Sequence, residues 1–155
     1  MKISKDSISE YIKPNAKLKI SLSDYDRPDV CNNVINIEGN IEGFLSFMDL
    51  LIFHNLNFLD LILTDFDFID NHLGKNFIIL FIDDNEVPGG ICNQNGYVMG
   101  NGYIRETENS YTWNISETEA MIIANMIHGF QYAWEHLHFD PRPTTSDIAV
   151  CFYLE

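Results

Sequence analysis

At 155 residues with 46% hydrophobic side chains, the chain is sized for one domain with its own core, and eleven Phe, seven Tyr and two Trp supply apolar volume without disulfide staples. Its net charge of −14 comes from 23 acidic against nine basic residues, and five of the nine (Lys2, Lys5, Lys13, Lys17, Lys19) precede residue 20, leaving Arg27, Lys75, Arg105 and Arg142 against 21 acids. A surface this negative repels nucleic acid and anionic lipid and speeds encounter with cationic partners, so neither nucleic acid nor a membrane is an expected partner.

Residues Met1 to Pro14 contain no apolar signal core, and the most apolar stretch, Phe44 to Leu63, is interrupted by Asp49, His54, Asn55, Asn57 and Asp60. A cytoplasmic protein is therefore expected. Ser7 to Ile12 has the composition of a short helical turn stopped by Pro14. Lys17 to Ser23 alternates, with Leu18, Ile20 and Leu22 on one face and Lys17, Lys19 and Ser21 on the other, as in a half-buried edge strand. Asp24 to Asp29 reads as a loop. A second strand follows over Asn33 to Glu38, ended by Gly39.

Ile41, Phe44, Leu45, Met48, Leu51 and Ile52 follow the spacing of a buried helical stripe, predicting a helix from about Ile41 to Leu56 with Asn40 as N-cap. Leu59 to Phe68 reads as a strand. Phe77 to Ile82 is a continuous apolar run, a central strand that delivers Asp83 and Asp84 at its end. Pro88-Gly89 signals a turn, and Asn95-Gly96 a hairpin between strands near Ile91 to Gln94 and Tyr97 to Arg105. A further hairpin is expected at Glu108-Asn109, because Tyr111, Trp113 and Ile115 alternate after it. Ser116 and Glu119 form a capping-box pattern that opens a helix over about Glu117 to Leu137. Its apolar face includes Ile123, Met126, Ile127, Phe130, Ala133 and Trp134. Pro141 and Pro143 prevent its continuation, and Asp147 to Leu154 is a closing strand.

This order predicts one α+β domain over residues 1–155, a mostly antiparallel twisted sheet with two main helices packed on it. Its expected core is Phe44, Met48, Leu51, Ile79, Leu80, Phe81, Ile123, Ile127, Phe130 and Trp134.

The chemistry-bearing residues form no established motif. Cys31, Cys92 and Cys151 are far apart, with neither a CxxC nor a zinc spacing, and read as buried thiols. His136 and His138 could ligate a metal, but at the end of a helix their side chains would diverge, and no third ligand is implied. Asp83, Asp84 and Glu86, with Asp60, Asp65, Asp67 and Asp70, could hold a hard cation. Yet Lys75 is the only cation between Arg27 and Arg105 to assist phosphoryl chemistry. No Gly-x-Ser-x-Gly is present, and Gly100-Asn101-Gly102 lacks the lysine and helix of a phosphate loop. No catalytic residue, metal or cofactor is therefore expected. The seven acids Asp60, Asp65, Asp67, Asp70, Asp83, Asp84 and Glu86, with Phe66 and Phe68 among them, suit an interface whose partner brings Lys or Arg.

In size, acidity, cytosolic character and lack of catalytic residues the whole chain resembles bacterial immunity proteins of contact-dependent growth inhibition and related polymorphic toxin systems. Such proteins share no single motif, so the resemblance carries over no residue. It implies a tight complex with one cognate toxin, often a basic nuclease, whose active site is blocked or covered. The rival classes are a small metal-dependent enzyme built on the Asp or His clusters, a regulatory or dimeric subunit, and a nucleic-acid mimic. The sequence specifies no oligomeric state.

Overall fold

The computed structural model describes residues 10–25, 31–87, 102–140 and 148–155. The expected turn at Pro88-Gly89, the hairpin at Asn95-Gly96, most of Gly100-Asn101-Gly102, most of the Ser7–Ile12 turn and Cys92 lie outside them. Two helices and nine strands make up the described part, so the α+β class holds. The arrangement of strands differs from the one expected. There are two sheets, and both are mixed.

The first sheet has five strands: β1 (Leu18–Asp24), β2 (Asn33–Gly39), β4 (Ile69–Asn71), β8 (His136–Phe139) and β9 (Ile148–Leu154), in the order β4-β1-β2-β9-β8. The second has four: β3 (Leu61–Ile62), β5 (Asn76–Ile82), β6 (Tyr103–Glu106) and β7 (Ser110–Ser116), in the order β3-β5-β7-β6. The hairpin pairs β1–β2, β6–β7 and β8–β9 are antiparallel, as is β3–β5, whereas β1–β4, β2–β9 and β5–β7 are parallel. Turn residues specify hairpins because those are local. They carry no information about partners brought together from distant parts of the chain, and the parallel pairs are of that kind.

Local signals succeeded where the local physics is complete. Helix α1 (Ile41–Leu56) starts at Asn40, whose side chain accepts from the Gly43 N–H at 2.8 Å. Helix α2 (Glu117–His128) opens on a full capping box between Ser116 and Glu119. The hairpin at Glu108-Asn109 is present, with Glu106 opposite Tyr111.

Three elements differ from those expected. Leu59 to Phe68 is not one strand: β3 stops after two residues, a 3-10 turn follows over Leu63–Asp65, and β4 joins the other sheet. The Thr64 hydroxyl takes the Phe77 N–H at 3.1 Å and donates to Asn76 at 3.2 Å, which bends the chain out of the sheet. Strand β1 is internal, because β4 pairs along part of its outer side. Helix α2 ends nine residues earlier than expected. Gly129 follows it, and Trp134 folds back so closely that a Cβ on Gly129 would lie 2.1 Å from the indole Cδ1. The remaining residues of the expected helix lead into β8, where Leu137 and Phe139 point inward and His136 and His138 outward.

Both helices and both sheets share one core. The end of α1 meets the start of α2, where Asn55 Nδ2 donates to the Glu117 carbonyl at 3.2 Å. Phe44, near the start of α1, packs edge-on against Phe130 just past the end of α2. The two helices are therefore antiparallel. Trp113 on β7 contacts Phe77, Phe139 and Phe152, and Phe152 contacts Phe44 and Phe47, joining the two sheets through aromatic rings. Phe44, Leu51, Ile79, Ile123, Ile127 and Phe130 are buried as expected, while Met48, Leu80 and Phe81 are partly buried. Trp134 is 54% exposed and is not a core residue, whereas Trp113 is 1% exposed. Cys31 and Cys151 are buried. No helix among the described residues is long and apolar enough to cross a membrane.

The two tryptophans should therefore behave oppositely. Trp113→Ala is expected to cost about 3–5 kcal/mol of stability in urea unfolding, and Trp134→Ala less than about 1.5 kcal/mol. Equal losses would contradict this division of the core.

Candidate functional site

The parallel pair β5–β7 sets Ile82 opposite Ser116, so both strands end at the same edge of the second sheet. Beyond Ile82 the chain continues as Asp83 and a 3-10 turn, Asp84–Glu86. Beyond Ser116 it enters α2 at Glu117. Carboxylates from two separate parts of the sequence therefore meet at the start of one helix.

Their roles differ. Asp84 Oδ1 accepts the Thr118 backbone N–H at 3.1 Å, and Oδ2 accepts the Thr118 hydroxyl. Burial pushes the Asp84 carboxyl up, but the hydrogen bonds from Thr118 and Ser116 outweigh it and hold the group below its ordinary 3.8. With its folded value below the unfolded one, Asp84 stabilises the fold above pH 3.8, and that contribution is lost as pH falls through the lower folded value. Glu117 moves the other way. Desolvation, then the hydrogen bond and charge of Asp83, then the charge of Asp84, raise it above its ordinary 4.5. Near neutral pH, ionised Glu117 sits beside two other carboxylates. Asp83 is exposed beside it, Glu86 is exposed at the end of the 3-10 turn, and no cation among the described residues pairs with Asp83, Glu86 or Glu117.

Glu119 is buried and structural. One oxygen accepts the Ser116 N–H at 3.1 Å and the other the Gly102 N–H at 2.8 Å. Gly102 has φ +75°, and a Cβ there would lie 2.3 Å from the Asn114 carbonyl, so the chain re-enters β6 through a position only glycine suits. The free N–H groups at the start of α2 that would attract a phosphate are instead met by Ser116, Asp84 and Glu119. The helix start is thus occupied by the protein's own acceptors.

Apolar surface adjoins the acids. Helix α1 ends in a Schellman arrangement: the Leu59 N–H donates to the His54 carbonyl at 2.9 Å and the Phe58 N–H to the Asn55 carbonyl at 3.3 Å. The position that needs positive φ, usually glycine, is Phe58 at φ +52°. Its ring is exposed, as is Leu56. A bulky residue held in left-handed backbone costs about 1–2 kcal/mol and gains nothing for the fold when its ring faces solvent. On α2, Met121 and Ile122 are exposed one turn beyond Glu117 and Thr118. At the same helix junction, Asn55 Oδ1 is buried and has no hydrogen-bond partner among the described residues.

The seven acids expected at an interface do not form one patch. Asp83, Asp84 and Glu86 are together. Asp60 leads into β3, which runs antiparallel to β5 with Leu61 opposite Ile79, so it lies toward the same end. Asp65 and Asp67 follow the bend at Thr64, beside Asn76 at the start of β5, about 20 Å from Asp83 at ~3.3 Å per residue. Asp70 is on β4 in the other sheet, 2.8 Å from His72. The Phe66 and Phe68 rings are partly buried against the core, not exposed beside the acids. Glu117, Phe58 and Leu56 escaped sequence reasoning. Glu117 joins the acids only through the β5–β7 register, and a phenylalanine after a helix carries no mark that it occupies a glycine position. No family model matches this chain, and no curated protein matches it.

The Asp84–Thr118 contact ties the 3-10 turn to α2. A double-mutant cycle with Asp84→Ala and Thr118→Val should return a coupling of about 1 kcal/mol at pH 7, from a capping-type hydrogen bond to an ionised acceptor. The coupling should vanish at a pH low enough to protonate Asp84. Zero coupling at pH 7 would show that the contact contributes nothing.

Proposed function

We propose that this chain is a non-catalytic binding protein that engages a basic protein partner through the acidic and apolar end of the β5–β7 pair, and that it serves in the cytoplasm as the immunity protein of a cognate toxin. The observation that carries the reading is the pairing of carboxylates with no cation partner among the described residues (Asp83, Glu86, Glu117) with exposed apolar side chains, one of them, Phe58, kept at a cost to the fold. Glu117, raised by desolvation and by the neighbouring Asp83, gains most when a Lys or Arg arrives, and apolar neighbours that lose water on binding strengthen that attraction. The lopsided charge, 21 acids against four cations after residue 19, favours fast encounter with a cationic protein such as a nuclease. A stable complex of this kind buries roughly 1,200–2,000 Å² in total. The reading rests on Asp83, Glu86, Glu117, Phe58, Leu56 and, toward the same end, Asp60. It gives Asp84 a supporting role and leaves Asp65, Asp67 and Asp70 outside the contact.

The test is co-expression with the toxic product of the gene adjoining its own, followed by binding kinetics on the purified pair. Replacing Asp83, Glu86 and Glu117 together by Asn, Gln and Gln should slow association by about tenfold or more at low salt and by much less at high salt. Phe58→Gly should raise thermal stability by about 1 kcal/mol and yet weaken binding. Continued toxicity in the presence of this chain refutes the immunity role. Unchanged binding in both variants places the interface elsewhere.

A further inference from the structure

Strand β8 alters the standing of His136 and His138. At the end of a helix the two side chains would diverge, but on a strand residues two apart share a face. Both imidazoles are exposed on the outer face of the first sheet, on a strand at its edge, with ring centroids 5.1 Å apart. An ion bonded at about 2.0–2.1 Å to one nitrogen of each ring lies about 3.2 Å from each centroid, which puts the centroids about 4.5–5.2 Å apart for bond angles of roughly 90–110°. The observed separation falls in that range.

The surroundings fix the rings as ligands require. His138 Nδ1 is within hydrogen-bonding distance of Cys151 Sγ at 3.1 Å and Tyr25 Oη at 3.4 Å. The Tyr25 hydroxyl donates to Asp140 at 2.9 Å, so a buried tyrosine and a carboxylate stand behind the ring. His136 lies opposite Tyr153 and stacks on its ring with an interplanar angle of 22°. Among the described residues, His138 Nε2 and both His136 nitrogens have no hydrogen-bond partner. A ring anchored through one nitrogen and open at the other is the usual state of a metal-ligating histidine.

We propose that His136 and His138 form a two-imidazole chelate for a late first-row divalent cation such as Ni²⁺, Zn²⁺ or Cu²⁺, with the remaining coordination positions left to water. Imidazole pairs suit these ions, whereas Mg²⁺ and Ca²⁺ prefer oxygen ligands. Among the described residues no three His, Cys, Asp or Glu side chains converge on one point, so these residues supply two protein ligands, and an ion held by two imidazoles exchanges readily. The net charge of −14 attracts a dication to the surface. This site is independent of the proposed toxin-binding end.

The full chain, kept reduced with a phosphine and titrated with Ni²⁺ by calorimetry at pH 7.5, tests the proposal. One ion per chain is expected, weakened about tenfold or more by His136→Asn or His138→Asn and unaffected by His72→Asn, whose ring is engaged by Asp70. In the wild-type chain, the imidazole NMR signals of His136 and His138 should move or broaden before those of the other histidines. Absence of saturable binding, an unchanged isotherm in the double variant, or signals that move first at His72 or His128 would each overturn the proposal.

Discussion

The parallel pairing of β5 with β7 is the constraint on which the rest of the structure depends. It places Ile79 beside Trp113 in the core and Ile82 beside Ser116 at the edge. Because α2 follows Ser116 directly, the register also decides which residues stand at the helix start. Asp84 then has a specific use, since its carboxylate caps the first turn through Thr118. Asp83 and Glu86 are brought along by covalent connection, and Glu117 by its place in that turn. The crowding of like charge is thus a by-product of a stabilising contact, and no cation among the described residues relieves it. A protein that selected only for stability could relieve it with one lysine.

Much of the fold was legible because much of it is local. The Asn40 cap, the Ser116–Glu119 box, the apolar run of β5 and the alternation after Asn109 each depend on residues within a few positions of one another. The failures share a cause. Leu59 to Phe68 alternates well enough for a strand, but the Thr64 hydroxyl binds Asn76 and the Phe77 amide, residues over a turn away in the chain. The apolar spacing beyond His128 continues the helical pattern, but Trp134 packs onto Gly129, and Leu137 and Phe139 fit the alternation of a strand equally well. Periodicity alone does not decide between such readings, and tertiary contacts do.

The candidate site was legible only in part, for the same reason. Composition announced an acidic protein and located Asp83, Asp84 and Glu86 at a strand end. It grouped them with Asp65, Asp67 and Asp70 by nearness in sequence, whereas β5 separates the first pair from Asp83 by its own length and Asp70 belongs to the other sheet. The left-handed Phe58 was invisible, because φ is not written in a side chain. The two histidines show the converse. Their identity was plain, and their relation to each other changed once helix became strand.

The acids at the end of β5–β7 are unequal: Asp84 serves the fold, whereas Glu117 is destabilised as an anion by desolvation and by the neighbouring Asp83 and Asp84. Carbon-13 NMR titration of the side-chain carboxyls measures this directly in the free protein. Asp84 should titrate below its ordinary 3.8 and Glu117 above its ordinary 4.5, the two moving apart. Addition of a basic partner at this end should bring Glu117 back down while leaving Asp84 in place. If both groups titrate at their ordinary values in the free chain, the carboxylates are independent and solvated, and the case for a cation-seeking site is lost.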